Sequence, residues 1–345
     1  METSLTAFRA EFRERMLGLL WRQWTALGVT GQGASPWRRT PLDPEALLLV
    51  SCTLARHDAR LFDAMLDWVG INGRYLNVQR LRRMLATHAF TGEDVFTAVV
   101  ATAGGTGQSI KWVRSAKSSA TSTRPERPLF FLPNGNPLPI VHDPDPTFRA
   151  YGLLRDQYAP RGVAQVFRPE GTACLTLRLR ALLGINARCE ILAYLLLNGR
   201  GSPRAIARTC CYYPATVGKA LSEMGDSGYV TSRVEGRHRH YALASDAWRA
   251  LLCGDERPVW ISWPALFCAL EQAWNCLHAP ERDGQSPLVQ ASALRRILGD
   301  SVLDGIARSG LPVVFGDDRP QEGETLLPFF VDAMSRTLDA AERLG

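Results

Sequence analysis

Residues 186–243 constrain the fold more than any other stretch, because three short helix-forming segments run directly into two alternating ones. "NARCEILAYLLL" opens at Asn186, a residue type suited to a helix N-cap, and spaces Ile191, Tyr194 and Leu195 along one helical face. "GRGS" interrupts it, and Ser202 followed by Pro203 restarts a helix over "PRAIARTC". The third segment, "PATVGKALSEMGDSG", starts at Pro214, sets Val217, Leu221 and Met224 on one stripe, and stops at Gly228. "YVTSRV" and "HRHYAL" then alternate on either side of Glu235-Gly236, the pattern of a β-hairpin. The predicted order is helix, helix, helix, hairpin.

Charge gathers on the same unit. Arg188, Arg200, Arg204, Arg208, Lys219, Arg233, Arg237 and Arg239 are opposed only by Glu190, Glu223, Asp226 and Glu235. The 345-residue chain has a net charge of +6, so most of its excess fits within this unit. Arg237, His238, Arg239 and His240 cluster at the hairpin tip, where a polyanionic partner would explain them. An α-helix fits the DNA major groove, and a hairpin beside it reaches phosphates or the adjacent minor groove.

"ATVGKALSEM", "SGYV", "EGRHRHY" and Leu243, in that order, resemble the winged helix-turn-helix regulators of the MarR and ArsR type. The resemblance implies sequence-specific binding of double-stranded DNA, the work of a transcriptional regulator rather than an enzyme, with no cofactor. Ala215, Thr216, Gly218, Lys219 and Ser222 fall off the apolar stripe of the third helix, where base edges would be reached. Arg204, Arg233, Arg237, His238 and Arg239 are the expected backbone or minor-groove contacts. Regulators of this type generally read DNA as symmetric dimers, so a homodimer on a pseudo-palindromic site is expected. The candidate dimer seams are the N-terminal stripe of Phe8, Phe12 and Met16 and the C-terminal stripe through Trp263 and Trp274. An effector, if one acts, has no sequence signature.

Around this unit the chain is predicted to be mainly α and multidomain. Residues 1–100 form a helical domain, with Asp43 as an N-cap, Pro44 behind it, and Leu47, Val50 and Leu54 on one face. Its "RYLNVQRLRRMLATH" carries Arg74, Arg80, Arg82 and Arg83, either a surface helix with Val78, Leu81 and Leu85 inward or a second DNA-reading head. Residues 101–128 are rich in Gly, Ser and Thr and read as a flexible basic linker. Residues 129–180 form a mixed connector with a hairpin signal at Asn134-Gly135, residues 181–250 the winged helix, and residues 251–345 a C-terminal helical domain. In that last part Trp263, Phe267, Leu270, Trp274 and Leu277 make a continuous seam, expected first to pack within the chain, next to pair a dimer and last to line a pocket, with the amphipathic "ETLLPFFVDAMSRTLDAAERL" as a candidate cover.

Other functions lack their motifs. The N-terminal stretch has acidic residues and no long apolar core, which argues against a targeting peptide, and no run is long enough to span a bilayer; a cytoplasmic protein is expected. Eight cysteines without a CxxC pair suggest neither a zinc site nor a disulfide framework. "GGTGQSIK" lacks the Gly-Lys-Ser/Thr ending of a phosphate loop. Asp143 and Asp145, each followed by proline, read as turn residues; a nucleotide-handling enzyme built on them is a distant alternative. A closer alternative is an assembly factor whose winged helix docks on a partner protein.

Overall fold

The computed structural model describes residues 5–30, 37–105, 125–245, 248–249, 258–278, 295, 298–313, 315 and 326–345, and these are mainly helical with small sheets. The first five helices are α1 (Leu5–Ala26), α2 (Pro44–Leu54), α3 (Ala59–Asn72), α4 (Val78–Thr87) and α5 (Glu93–Gly105). A short α6 (Pro146–Arg149) and α7 (Leu175–Leu183) lead to α8 (Ala187–Asn198), α9 (Pro203–Cys210) and α10 (Pro214–Asp226). After the hairpin come α11 (Trp263–Leu277), α12 (Leu303–Ser309) and α13 (Leu326–Glu342). None of the described helices is long and apolar enough to cross a membrane.

The largest core is organised around α2. Asp43 caps this helix by accepting from the Ala46 N–H, and the helix is apolar around nearly its whole circumference, so it needs neighbours on every side. It packs against α1, α4, α5 and α11. On α1, Phe8, Phe12, Met16 and Leu20 recur every four residues and are all buried. Phe8 meets Phe330 of α13 edge-on with ring centroids 6.2 Å apart, and Phe12 lies 6.4 Å from Trp274 of α11. Arg15 of α1 donates to Asp339 and Glu342 of α13, tying the two helices at the surface.

Residues from both ends of the sequence therefore share one core, rather than each end closing a core of its own. The two stripes named as candidate dimer seams lie in this core, so the C-terminal stripe packs within the chain, the first of its expected roles. Two local expectations also change. Helix α5 continues to Gly105, so residues 101–105 belong to it and not to a linker; residues 106–124, including most of "GGTGQSIK", lie outside the described residues. Around Asn134-Gly135 only an isolated bridge, Phe131 to Pro137, forms where a hairpin was expected. Pro133, Pro137 and Pro139 lack the N–H groups a ladder needs. The nearby pairing is instead a short parallel one between β1 (Arg127–Pro128) and β2 (Leu153–Leu154).

Helices α8, α9 and α10 enclose a second, smaller core with a three-stranded antiparallel sheet. Ile191, Leu195, Ile206, Val217, Leu221 and Val230 fill it. Asn186 caps α8 through the Arg188 N–H, and Ser202 caps α9 through the Ala205 N–H, as their spacing predicts. Strands β4 (Val230–Glu235) and β5 (His238–Leu243) form the expected hairpin, closed by a Gly236-Arg237 loop in which Gly236 has φ +62°. The sequence did not announce β3 (Arg200–Gly201), which pairs with β5 and gives the order β3-β5-β4. Gly201 is required there, since a Cβ would lie 2.7 Å from the Tyr194 ring and 2.9 Å from Ile206.

Candidate nucleic-acid interface

Helix α10 turns Val217 and Leu221 into the small core and leaves its opposite side to solvent. Ala215, Thr216, Lys219 and Ser222 are exposed and Gly218 is half-buried, so these five nominated residues form one accessible face. Its charge is partly compensated. Lys219 Nζ lies 4.0 Å from Glu223, which also pairs with Arg188 of α8.

The hairpin keeps more free charge. Arg233, Arg237 and Arg239 are exposed and make no ion pair among the described residues. Register divides them: Arg233 stands opposite His240 and Glu235 opposite His238 on one face, while Arg239 stands opposite Val234 on the other. Arg237 sits in the loop. Arg200, counted in the basic total of this unit, is neutralised by Glu235 at 2.8 Å.

Arg204 and His238, nominated with the others, line a separate feature. A cleft of about 730 Å³ runs between α9, the hairpin, the end of α4 and the α11–α12 region. Four arginines (Arg83, Arg204, Arg208 and Arg308) and three histidines (His88, His238 and His240) line it, and no carboxylate does among the described residues. A side chamber of about 110 Å³ shares His88, Arg208, Cys268, Ser301 and Arg308 with the cleft and extends inward to Ala265, Ala269 and Gly305. Burial, followed by the charges of Arg308 and Arg80, lowers the His88 pKa from its ordinary value.

Behind this surface lies a buried ionic network that holds the turn between α9 and α10. Arg80 Nε donates to the Cys210 carbonyl at 2.8 Å while its Nη atoms bind Asp43 and Glu45. Arg180 bridges Glu45 and Glu190, and the Tyr212 hydroxyl donates to Glu190 at 2.8 Å and accepts from Asn77 at 2.9 Å. Cys211 adopts the left-handed conformation with φ +60° and buries its side chain in the large core. The turn that aims α10 is thus gripped by α2, α4 and α7.

This network resolves the basic cluster on α4. Arg80 is only 3% exposed and committed to Asp43 and Glu45, so it cannot face DNA. Arg83 lies over the Tyr213 ring at 4.2 Å beside the cleft, and Arg74 covers Tyr75. Val78, Leu81 and Leu85 point inward, as a surface helix requires. Sequence reasoning missed Glu45, Arg180 and Tyr212 as positioning groups. Glu45 and Arg180 had visible signals, a lone acid in "PEALLLV" and a pair of arginines in "LRLRALL", charges set in otherwise apolar helices.

Of the two paired aspartates, Asp143 is exposed and Asp145 is buried. Asp145 caps α6 by accepting from the Thr147 and Phe148 N–H groups, and its other oxygen accepts from the Tyr158 N–H. Its acceptor capacity is therefore engaged by backbone. Cys210 and Cys211 are buried free thiols, Cys276 is buried and Cys268 is half-buried. No cluster of three or more metal-ligating side chains occurs among the described residues. No protein-family profile, curated protein or solved structure matches the chain.

Proposed function

We propose that residues 181–250 are a winged helix that binds double-stranded DNA sequence-specifically, and that the protein is a transcriptional regulator. The observation that carries this reading is the occurrence of an open α10 face and the hairpin cations Arg233, Arg237 and Arg239, which make no ion pair among the described residues, on the same small unit. A helix presented this way suits the major groove, and a cationic hairpin beside it suits the flanking backbone. In this reading Thr216, Lys219 and Ser222 read base edges, with Ala215 and Gly218 allowing close approach. Arg233, Arg237 and Arg239 hold phosphates. Two copies bound to a pseudo-palindromic site give the specificity one short helix lacks, and they pair through a surface other than the Phe12 and Trp274 stripes.

Fluorescence anisotropy with duplexes tiled across the DNA upstream of the gene, at fixed stated salt, tests this. One tile should bind at least ~10³-fold more tightly than random duplex. Equal affinity for every tile and for random sequence would leave no sequence reading to explain.

A further inference from the structure

The basic cleft lies outside the α10 face. Its volume, about 730 Å³, falls in the range of pockets that hold nucleotide-sized ligands. Its cations come from three separate elements: Arg83 from α4, Arg204 and Arg208 from α9, and Arg308 from α12. Arg204 and Arg208 make no ion pair among the described residues, and Asp304, 3.2 Å from Arg308, is not one of the groups lining the cleft. Four guanidinium groups around one space, with no carboxylate among its lining residues, concentrate positive potential where an anion would be attracted.

The side chamber narrows the choice of ligand. It offers about 110 Å³ between α9, α11 and α12, room for one compact group and far too little for a duplex. Arg208 and Arg308 line it together with Ser301, and a guanidinium fork matches the oxygens of a phosphoryl group. The stack of Arg83 on Tyr213 at 4.2 Å holds a further cation against the cleft.

We propose that this cleft binds a phosphorylated small molecule, its terminal phosphoryl group seated in the side chamber between Arg208 and Arg308. The body of the ligand then lies along Arg204 and Arg83, with His238 and His240 of the hairpin as the opposite wall. The site goes beyond DNA reading and does not depend on it, because Arg208 and Arg308 belong to neither the α10 face nor the hairpin.

Isothermal titration calorimetry of the full chain provides the test, with inorganic pyrophosphate and adenosine triphosphate as probes and adenosine as the phosphate-free control. Both phosphate probes should bind saturably at one site per chain and adenosine should not. Arg208→Ala and Arg308→Ala should each weaken pyrophosphate by ~10-fold or more, while Arg336→Ala, which alters an exposed arginine on α13, should not change it. Absence of saturable binding, or pyrophosphate affinity unchanged in both cleft variants, overturns the proposal. A parallel duplex titration separates the source of the phosphate: Arg308→Ala should leave DNA affinity intact, and an equal loss for duplex would reassign the cleft to the nucleic-acid backbone. Since pyrophosphate binding is measured without DNA, its failure and the failure of DNA reading are told apart.

Discussion

Arg180 donates two hydrogen bonds to Glu45, at 2.5 and 3.0 Å, and both side chains are 0% exposed. The same guanidinium reaches Glu190 of α8 at 2.6 Å, so one buried cation joins the large helical core to the small α8–α10 unit. Buried ion pairs add little net stability over apolar packing, but they penalise any arrangement that separates the partners. Here the penalty fixes how the α9–α10 turn sits on α2 and α4.

Removing Arg180 should therefore be severe. Arg180→Met leaves Glu45 and Glu190 buried with less compensation, and the expected loss is about 3–5 kcal/mol in urea unfolding. Tyr212→Phe deletes a hydroxyl that both donates and accepts, and should cost about 1–3 kcal/mol. Losses below ~1 kcal/mol for Arg180→Met would mean that solvent reaches this network freely.

A different buried group sets a pH dependence. His57, packed 5.0 Å from the Trp274 ring and 5.6 Å from Phe131, is pushed down to about 3 by burial and then by the charges of His278, Arg56 and Arg13. Its folded-state value lies below the unfolded one of 6.5, so the unfolded chain takes up the proton first. The stability due to neutral His57 is complete above pH 6.5 and is lost as the pH falls towards 3. His57→Phe should lose less unfolding free energy than the wild-type chain between roughly pH 7.5 and pH 5. An unchanged pH slope would show that another group governs it.

Local signals carried the small unit well. Asn186, Ser202, Pro214, Gly228 and Gly236 all mark element boundaries through backbone chemistry that acts within a few residues, so their sequence positions suffice. The apolar stripe of α10 likewise fixed which residues face out. Long-range relationships were not legible. The mutual burial of Phe12 and Trp274 joins positions hundreds of residues apart, and a stripe that seals a core looks the same in sequence as one that seals a dimer. Arg80 shows the same limit from the polar side: beside Arg82 and Arg83 it reads as surface charge, and only the placement of Asp43 and Glu45 takes it inside. The cleft was equally hidden, because Arg83, Arg208 and Arg308 converge from three elements.

Dimerisation makes a separate prediction. Analytical ultracentrifugation should find two chains on one operator duplex, and disrupting the covered α1 face with Phe12→Asp should unfold the chain rather than merely dissociate a dimer. One chain per duplex at saturation would remove the two-fold site from the account.

The central claim is that α10 and the hairpin contact DNA in different ways, and the salt dependence of binding measures this most directly. Arg237→Ala and Arg239→Ala should each weaken operator and random duplex alike and reduce the slope of log affinity against log salt by about 1. Lys219→Ala should cost about 1–3 kcal/mol on the operator and narrow its advantage over random duplex. Equal, salt-independent affinity for the wild-type chain and all three variants would contradict DNA reading by this unit.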